Sequence, residues 1–198
     1  EDFDNAGLQT GLTETEVSGA LLCLDVTEKI VDEAVALGCN LIVAHHPLIF
    51  HALKQISDRN YVQRTVMKAV ENHVAVVAMH TNMDNARGGV NFKIAEKIGL
   101  TGVDFFSTKT VDGILCGSGV MGTFAEPMAA DDFIIMLKRQ FDVECVQCNQ
   151  LLRREIRKVA LCGGAGAFLL DEAIAAGADA FVTGEMHYHE YFGHEQDI

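Results

Sequence analysis

Basic residues are scarce in this sequence. Lysine and arginine together number 15 against 28 aspartates and glutamates, leaving a net charge of -13 and an isoelectric point near 4.9. Nonspecific nucleic-acid binding needs clustered cations to neutralise phosphates, and no basic stripe occurs, so that class is excluded. Long hydrophobic runs are missing too. None approaches the roughly 18 to 20 apolar residues of a membrane-spanning helix, so no membrane is expected as a partner. Tryptophan is absent and proline occurs only twice. The single C-x-x-C, Cys145 to Cys148, has no second pair to complete a zinc knuckle.

What remains is an apolar chain. Apolar residues make up 49% and mean hydropathy is +0.17, which places the 198 residues among globular proteins with length for one large domain or two small ones. The acidic surface raises the local concentration of cations. The cysteines in ALLCLDV, GILCGSG, DVECVQC and KVALCGG read as small hydrophobes in or beside strands. Thiols used this way indicate a reducing, cytoplasmic setting.

Short apolar strands alternate with helical patterns, which predicts an α/β fold. ALLCLDV (20–26) reads as a strand. Thr27 then caps a helix carrying Ile30, Val31, Ala34, Val35 and Leu37, Gly38 stops it, and NLIVA follows as the next strand. This strand, helix, strand order predicts a parallel pair. A helix over 60–72, the strand VAVVAMH (74–80) and a helix from near Gly89 to Gly99 form the next unit. Residues 101–113 carry no long apolar pattern and are taken as a lobe boundary, dividing the chain into 1–100 and 101–198. Beyond them come the extended ILCGSGVMGTF, a helix over 128–140, a short strand DVECVQC, the strand KVALCGG, a helix over 167–176 and the strand DAFVTGE. One internal echo stands out: VDEAVALGCNLIVAHH (31–46) aligns without gaps to LDEAIAAGADAFVTGE (170–185).

Chemistry-bearing residues gather just past strand ends, where open α/β sheets place their sites. His45 and His46 follow NLIVA, His80 and Asp84 follow VAVVAMH, and Glu185, His187, His189 and Glu190 follow DAFVTGE. Imidazoles and carboxylates are the usual ligands of zinc, manganese and iron in hydrolytic sites. Adjacent histidines on an extended chain point apart, but a turn at Pro47 can aim both at one place. Isolated histidines at strand ends are as readily hydrogen-bonded loop residues, and those of MHYHEYFGH are pocket-lining candidates or a solvated segment. CGGAGAF (162–168) reads as a tight turn whose N–H groups could hold phosphate, without the Gly-Lys-Ser/Thr of a P-loop or the full G-x-G-x-x-G spacing. DNAGLQTG (4–11) shows no secondary-structure signal and fits an ordered loop or a pocket wall.

With DNAGLQTG, AHHPLIF (44–50), HTNMDNARGGVN (80–91), CGGAG (162–166) and TGEMHYHE (183–190) in that order, the chain resembles the Nif-three-like dinuclear-metal proteins, also known as the type 2 GTP cyclohydrolase I family. The resemblance spans nearly the whole chain. It implies two similar α/β lobes, with mixed or parallel sheets flanked by helices and two divalent ions in a cleft between them. It also implies assembly into a hexameric ring. It carries metal ligation onto His45, His46 and Asp84, with Asp84 as the bridge, and makes His80 and Glu185 catalytic pocket candidates. The ions would be zinc, manganese or iron. The family's remaining ligands come from a Gly-His-x-x-x-Glu motif that this sequence lacks before Ile198; FGHEQDI sets His194 and Glu195 side by side and does not match. The expectation is therefore a chain truncated at both ends, since it also opens in mid-motif at Glu1.

Two functions of different class follow. The first is a metal-dependent hydrolase of the GTP cyclohydrolase type, acting on a nucleotide or a related phosphate-bearing small molecule. The second is a metal-binding regulator or scaffold that engages protein partners without turnover. A third, a phosphate- or nucleotide-binding module without metal, requires His45, His46 and Asp84 to be dispensable for metal uptake.

Overall fold

A computed structural model describes residues 3–152, 154–194 and 196–198. The chain separates into two compact units, Glu1–Met83 and Asp84–Ile198. Each carries a four-stranded mixed sheet flanked by helices, which is the α/β class expected.

The first unit runs β1 (Gly7–Thr10), β2 (Ala20–Cys23), α1 (Glu28–Ala36), β3 (Leu41–Ala44), α2 (Tyr61–Glu71) and β4 (Ala75–Ala78). Its sheet order is β1-β4-β3-β2, with β2, β3 and β4 parallel and β1 antiparallel to β4. Each helix starts where a side chain satisfies an otherwise orphaned N–H: Thr27 accepts from Ile30 and Asn60 accepts from Gln63. Their inner faces meet the central strands in a core around Val31, Ile42, Val66 and Val76, all at most 3% exposed. Burying each such side chain contributes roughly 1.5 to 3 kcal/mol. DNAGLQTG is therefore part strand, not only loop. Its Gly11 is required by contact: at φ +115° an added Cβ would stand 2.7 Å from that of Ala75.

At the junction, α3 (Thr81–Asp84) ends on the first residue of the second unit. That unit continues with α4 (Val90–Lys97), β5 (Thr101–Val111), β6 (Ile114–Ala129), α5 (Ala130–Phe141), β7 (Glu155–Cys162), α6 (Leu170–Ala175) and β8 (Ala180–Thr183). The sheet order is β5-β6-β7-β8, antiparallel except for the β7/β8 pair. Two sequence expectations are corrected here. Residues 101–113 form the eleven-residue strand β5 and the start of a hairpin, with Asp112 at φ 51° and Gly113 at φ 78° making the two-residue turn. The Asp-Gly pair was the available signal. α4 packs its Ala95 and Ile98 into the same core as Phe105 and Val120, so position 100/101 falls inside the second unit. DVECVQC is not a strand, and Cys145 and Cys148 are exposed thiols in an irregular segment.

The internal echo is structural. Extended backward without a gap, it aligns β2-α1-β3 with β7-α6-β8 in one register: Ala20 faces Leu41 as Val159 faces Ala180. Both helices end in the same Schellman geometry. Gly38 (φ 71°) donates to Val35 O and Cys39 to Ala34 O; Gly177 (φ 73°) donates to Ile174 O and Ala178 to Ala173 O. Even the side-chain tie before the second strand recurs, with Asn40 Oδ1 accepting from Ser18 N–H at 2.9 Å and Asp179 Oδ2 from Arg157 N–H at 3.0 Å and Lys158 N–H at 2.7 Å.

These ties predict a measurable cost. Asp179→Ala orphans two strand N–H groups, and hydrogen bonds to a charged acceptor contribute about 1.5 to 3 kcal/mol each. The expected outcome in urea unfolding is a loss of about 2 kcal/mol or more with an unchanged slope; a loss below 0.5 kcal/mol would contradict the role assigned to this carboxylate.

Candidate metal centre

Strands β3 and β4 lie in parallel register with Ala44 opposite Ala78, and their chains stay together one residue further, where Met79 N–H donates to Ala44 O at 2.8 Å. His45 and His46 leave β3 at a bend, and His80 leaves β4. The bend aims both adjacent imidazoles the same way: ring centroids are 4.9 Å apart for His45 and His46, 5.3 Å for His45 and His80, and 5.8 Å for His46 and His80. One ligand atom from each lies within 4.8 Å of the others, and among the described residues this is the one group of three or more able to hold a metal ion.

Each ring is oriented through its Nδ1. His45 Nδ1 is 3.0 Å from Met79 O, His46 Nδ1 is 2.8 Å from Asp25 Oδ1, and His80 Nδ1 is 2.7 Å from Asp4 Oδ1. A carbonyl or a carboxylate can only accept, so Nδ1 carries a proton in all three rings and Nε2 is the nitrogen that would meet a cation. Outer partners of this kind are what metal-bound histidines use to fix their tautomer. The donor set also fits by size. Two nitrogens on one ion at about 2.1 Å can be at most roughly 4.2 Å apart, so a small side-chain rotation closes the group on a cation.

Asp4 is the buried anchor. Its side chain is 3% exposed, and one oxygen takes His80 while the other takes the backbone N–H of Thr81 at 3.1 Å and the Thr81 hydroxyl. Burial alone would push its carboxyl up; the hydrogen bonds from Thr81 and His80 and the attraction of the His80 ring outweigh it and hold the carboxyl down at about 2. The rest of DNAGLQTG braces the loop after the histidines: Asn5 Nδ2 donates to Ile49 O, and Gln9 Oε1 accepts from Ile49 N–H. Phe50 stands edge-on to His80 at 6.2 Å.

Of the sequence candidates, His45, His46 and His80 are brought together. Asp84 closes α3, one helical turn along the chain from His80, and is not one of the three. Glu185 sits exposed in the second unit, 3.7 Å from the His187 ring, and borders an apolar cavity of about 830 Å³ walled by Phe133, Phe141, Leu152 and Phe181. His189 is exposed on a short turn of 3₁₀ helix, and Glu190 Oε2 accepts from His187 N–H. Glu195 lies outside the described residues. The CGGAG turn is held by residues outside it: Gly163 N–H is taken by Asn91, Gly166 N–H by Thr183, and Gly164 O accepts from Gly184 and Glu185. Asp25 and Asp4 carry little signal in the sequence: each is a carboxylate just beyond or before a strand, and nothing local marks it as a histidine partner.

The Asp4 shift sets a pH expectation. A carboxyl at about 2 in the folded chain and near 3.9 in the unfolded one stabilises the fold above pH 4, and this contribution is lost as pH falls through 2. A carbon-detected titration should place the Asp4 midpoint near 2, and Asp4→Ala, which removes the acceptor, should cost about 1 to 3 kcal/mol and free the His80 tautomer; a midpoint near 4 would refute the anchor.

The Duf34/NIF3 (NGG1p interacting factor 3) family profile matches residues 1–198. The "GTP cyclohydrolase 1 type 2 homolog" of Lactococcus lactis is 32% identical over 195 residues, covering 97% of this chain and 72% of its own. The "NGG1-interacting factor 3" of Saccharomyces cerevisiae is 30% identical over 210, covering 96% and 73%. A crystal structure of a Bacillus cereus protein related to NIF3 superposes with a TM-score of 0.89 at 27% identity, covering 96% of this chain and 79% of the other. With a profile match from end to end on top of this fold, the chain belongs to the Duf34/NIF3 family.

Proposed function

We propose that this protein binds divalent metal through His45, His46 and His80, with Asp84 as a further, bridging ligand, and that it is a metal-dependent hydrolase of a nucleotide or related small molecule. One observation carries the reading: three converging imidazoles, each oriented through Nδ1 by its own acceptor so that Nε2 is the ligating atom. A bound divalent ion would supply an activated water and a Lewis acid for the substrate. The chain's own residues supply the rest. Met79 O, Asp25 and Asp4 hold the rings, and Phe50 offers an apolar wall beside His80. The names of the bacterial relatives point to the guanine ring of GTP as the first substrate to try. The ligand types suit zinc, manganese and iron. Two ions per chain and a hexameric ring are carried over with the family resemblance. A cytoplasmic setting fits the six free cysteines, and no described helix is long and apolar enough to cross a membrane.

The yeast relative's name favours a second reading, a metal-binding protein that engages protein partners without turnover. Elemental analysis separates these from a metal-free protein. Wild type should carry bound metal, close to two ions per chain when extended through the Gly-His-x-x-x-Glu motif, and His45→Ala or His46→Ala should lose most of that content. Metal-loaded protein should then convert GTP, with turnover falling at least 100-fold in the same variants. Metal content near zero in wild type would sink the proposal; full content without conversion of any nucleotide would shift it to the partner-binding reading.

A further inference from the structure

Asn91, the second residue of α4, is among the most buried polar side chains of the molecule at 1% exposed, and both ends of its amide are used. Nδ2 donates to the backbone carbonyl of Asp84 at 3.1 Å, and Oδ1 accepts from Gly163 N–H at 2.8 Å, just past the end of β7. The approach of Gly163 is close: a Cβ there would meet Ile94 Cδ1 at 3.1 Å and Asn91 Oδ1 at 3.5 Å. The next carbonyl along, that of Asn85, accepts from Gly117 N–H of β6 at 3.2 Å, and a Cβ on Gly117 would overlap the Ser107 carbonyl oxygen. Two successive carbonyls are thus tied to the second unit's sheet, the first through a buried amide whose removal would take a hydrogen-bond partner from a carbonyl and an N–H together.

We infer that Asn91 is a positioning residue for Asp84: its amide fixes the backbone from which the Asp84 carboxylate meets a divalent cation. The inference rests on the reading of Asp84 as a metal ligand. An apolar side chain of equal volume would fill the same space in α4 without holding that carbonyl. Ligands must be held within about 0.5 Å of productive geometry, and losing an outer partner typically weakens metal binding 10- to 100-fold.

The test is a double-variant cycle read by Zn²⁺ competition against a chromogenic chelator on the whole chain, with thermal unfolding alongside. Asn91→Asp keeps the volume and the acceptor toward Gly163 and loses the donor toward Asp84; the smaller, neutral Asn91→Ser runs the same cycle where the carboxylate prevents folding. Asp84→Ala and the Asn91 variant should each weaken Zn²⁺ by at least 10-fold, and the double variant should bind no more weakly than Asp84→Ala alone, because Asn91 acts through Asp84. Wild-type affinity in a folded Asn91 variant, or a further additive loss in the double variant, overturns the positioning role while leaving Asp84 as a ligand. Wild-type affinity in Asp84→Ala overturns the ligand assignment and the inference with it.

Discussion

The register between β3 and β4 is the constraint on which the candidate site depends. With Ala44 opposite Ala78 and Met79 N–H extending the ladder onto Ala44 O, the first residues past the two strands emerge side by side. Met79 then serves twice, since its carbonyl takes the Nδ1–H of His45. A one-residue slip would turn every side chain of the slipped strand to the opposite face, carrying Val76 out of the core and His80 away from His45. The buried faces of both strands, Ile42 and Ala44 on one and Val76 and Ala78 on the other, make that slip costly. Core packing and the placement of the histidines are therefore one requirement, met by the same four-residue strands.

The repeated β-α-β unit shows how one backbone plan can be specialised at its end. The first copy ends β3 on His45-His46, and the second ends β8 on Thr183-Gly184-Glu185. At the place corresponding to His45 stands Gly184, where a Cβ would meet Gly164 O at 3.1 Å and Gly164 N at 3.3 Å. No histidine fits there while the CGGAG turn keeps its course. The second copy has used its strand end to close a backbone turn; the first has left the same end open for imidazoles. Exposed Glu185 matches His46 in the echo, without an equivalent of Asp25 holding it.

Much of this was legible from local pattern. Thr27, Gly38 and the apolar spacing between them mark α1, and the runs NLIVA and VAVVA mark the two strands that matter most. Hidden features were those whose stabilisation comes from partners distant in sequence. β1 is a four-residue strand whose partners lie on β4, so GLQT carries no periodicity worth reading. β5 packs Phe105 against α4 and β6 while much of its length stays exposed, so its polar residues masked it. DVECVQC failed in the opposite sense: its apolar alternation suits a strand, but among the described residues no strand pairs with it. At the site, the histidines were readable from position beyond strand ends, whereas Asp4 and Asp25 were not. A carboxylate becomes an outer partner only through a contact 76 or 21 residues away, as Asp4 and Asp25 do with His80 and His46.

These two carboxylates also set the electrostatics of the cluster. A neutral imidazole is a modest ligand, and hydrogen bonding of Nδ1–H to an anion increases the electron density available at Nε2. Asp4 provides this from a nearly dry position, where two Thr81 donors and the His80 ring keep it ionised; Asp25 provides it from the surface, at 69% exposure, where solvent screens its charge. His80 is thus the most firmly held of the two carboxylate-bound rings and His46 the least, while His45 is fixed by a backbone carbonyl that cannot change charge. Two neighbouring carboxylates and a chain of net charge -13 give the cluster a field that would favour the approach of a cation.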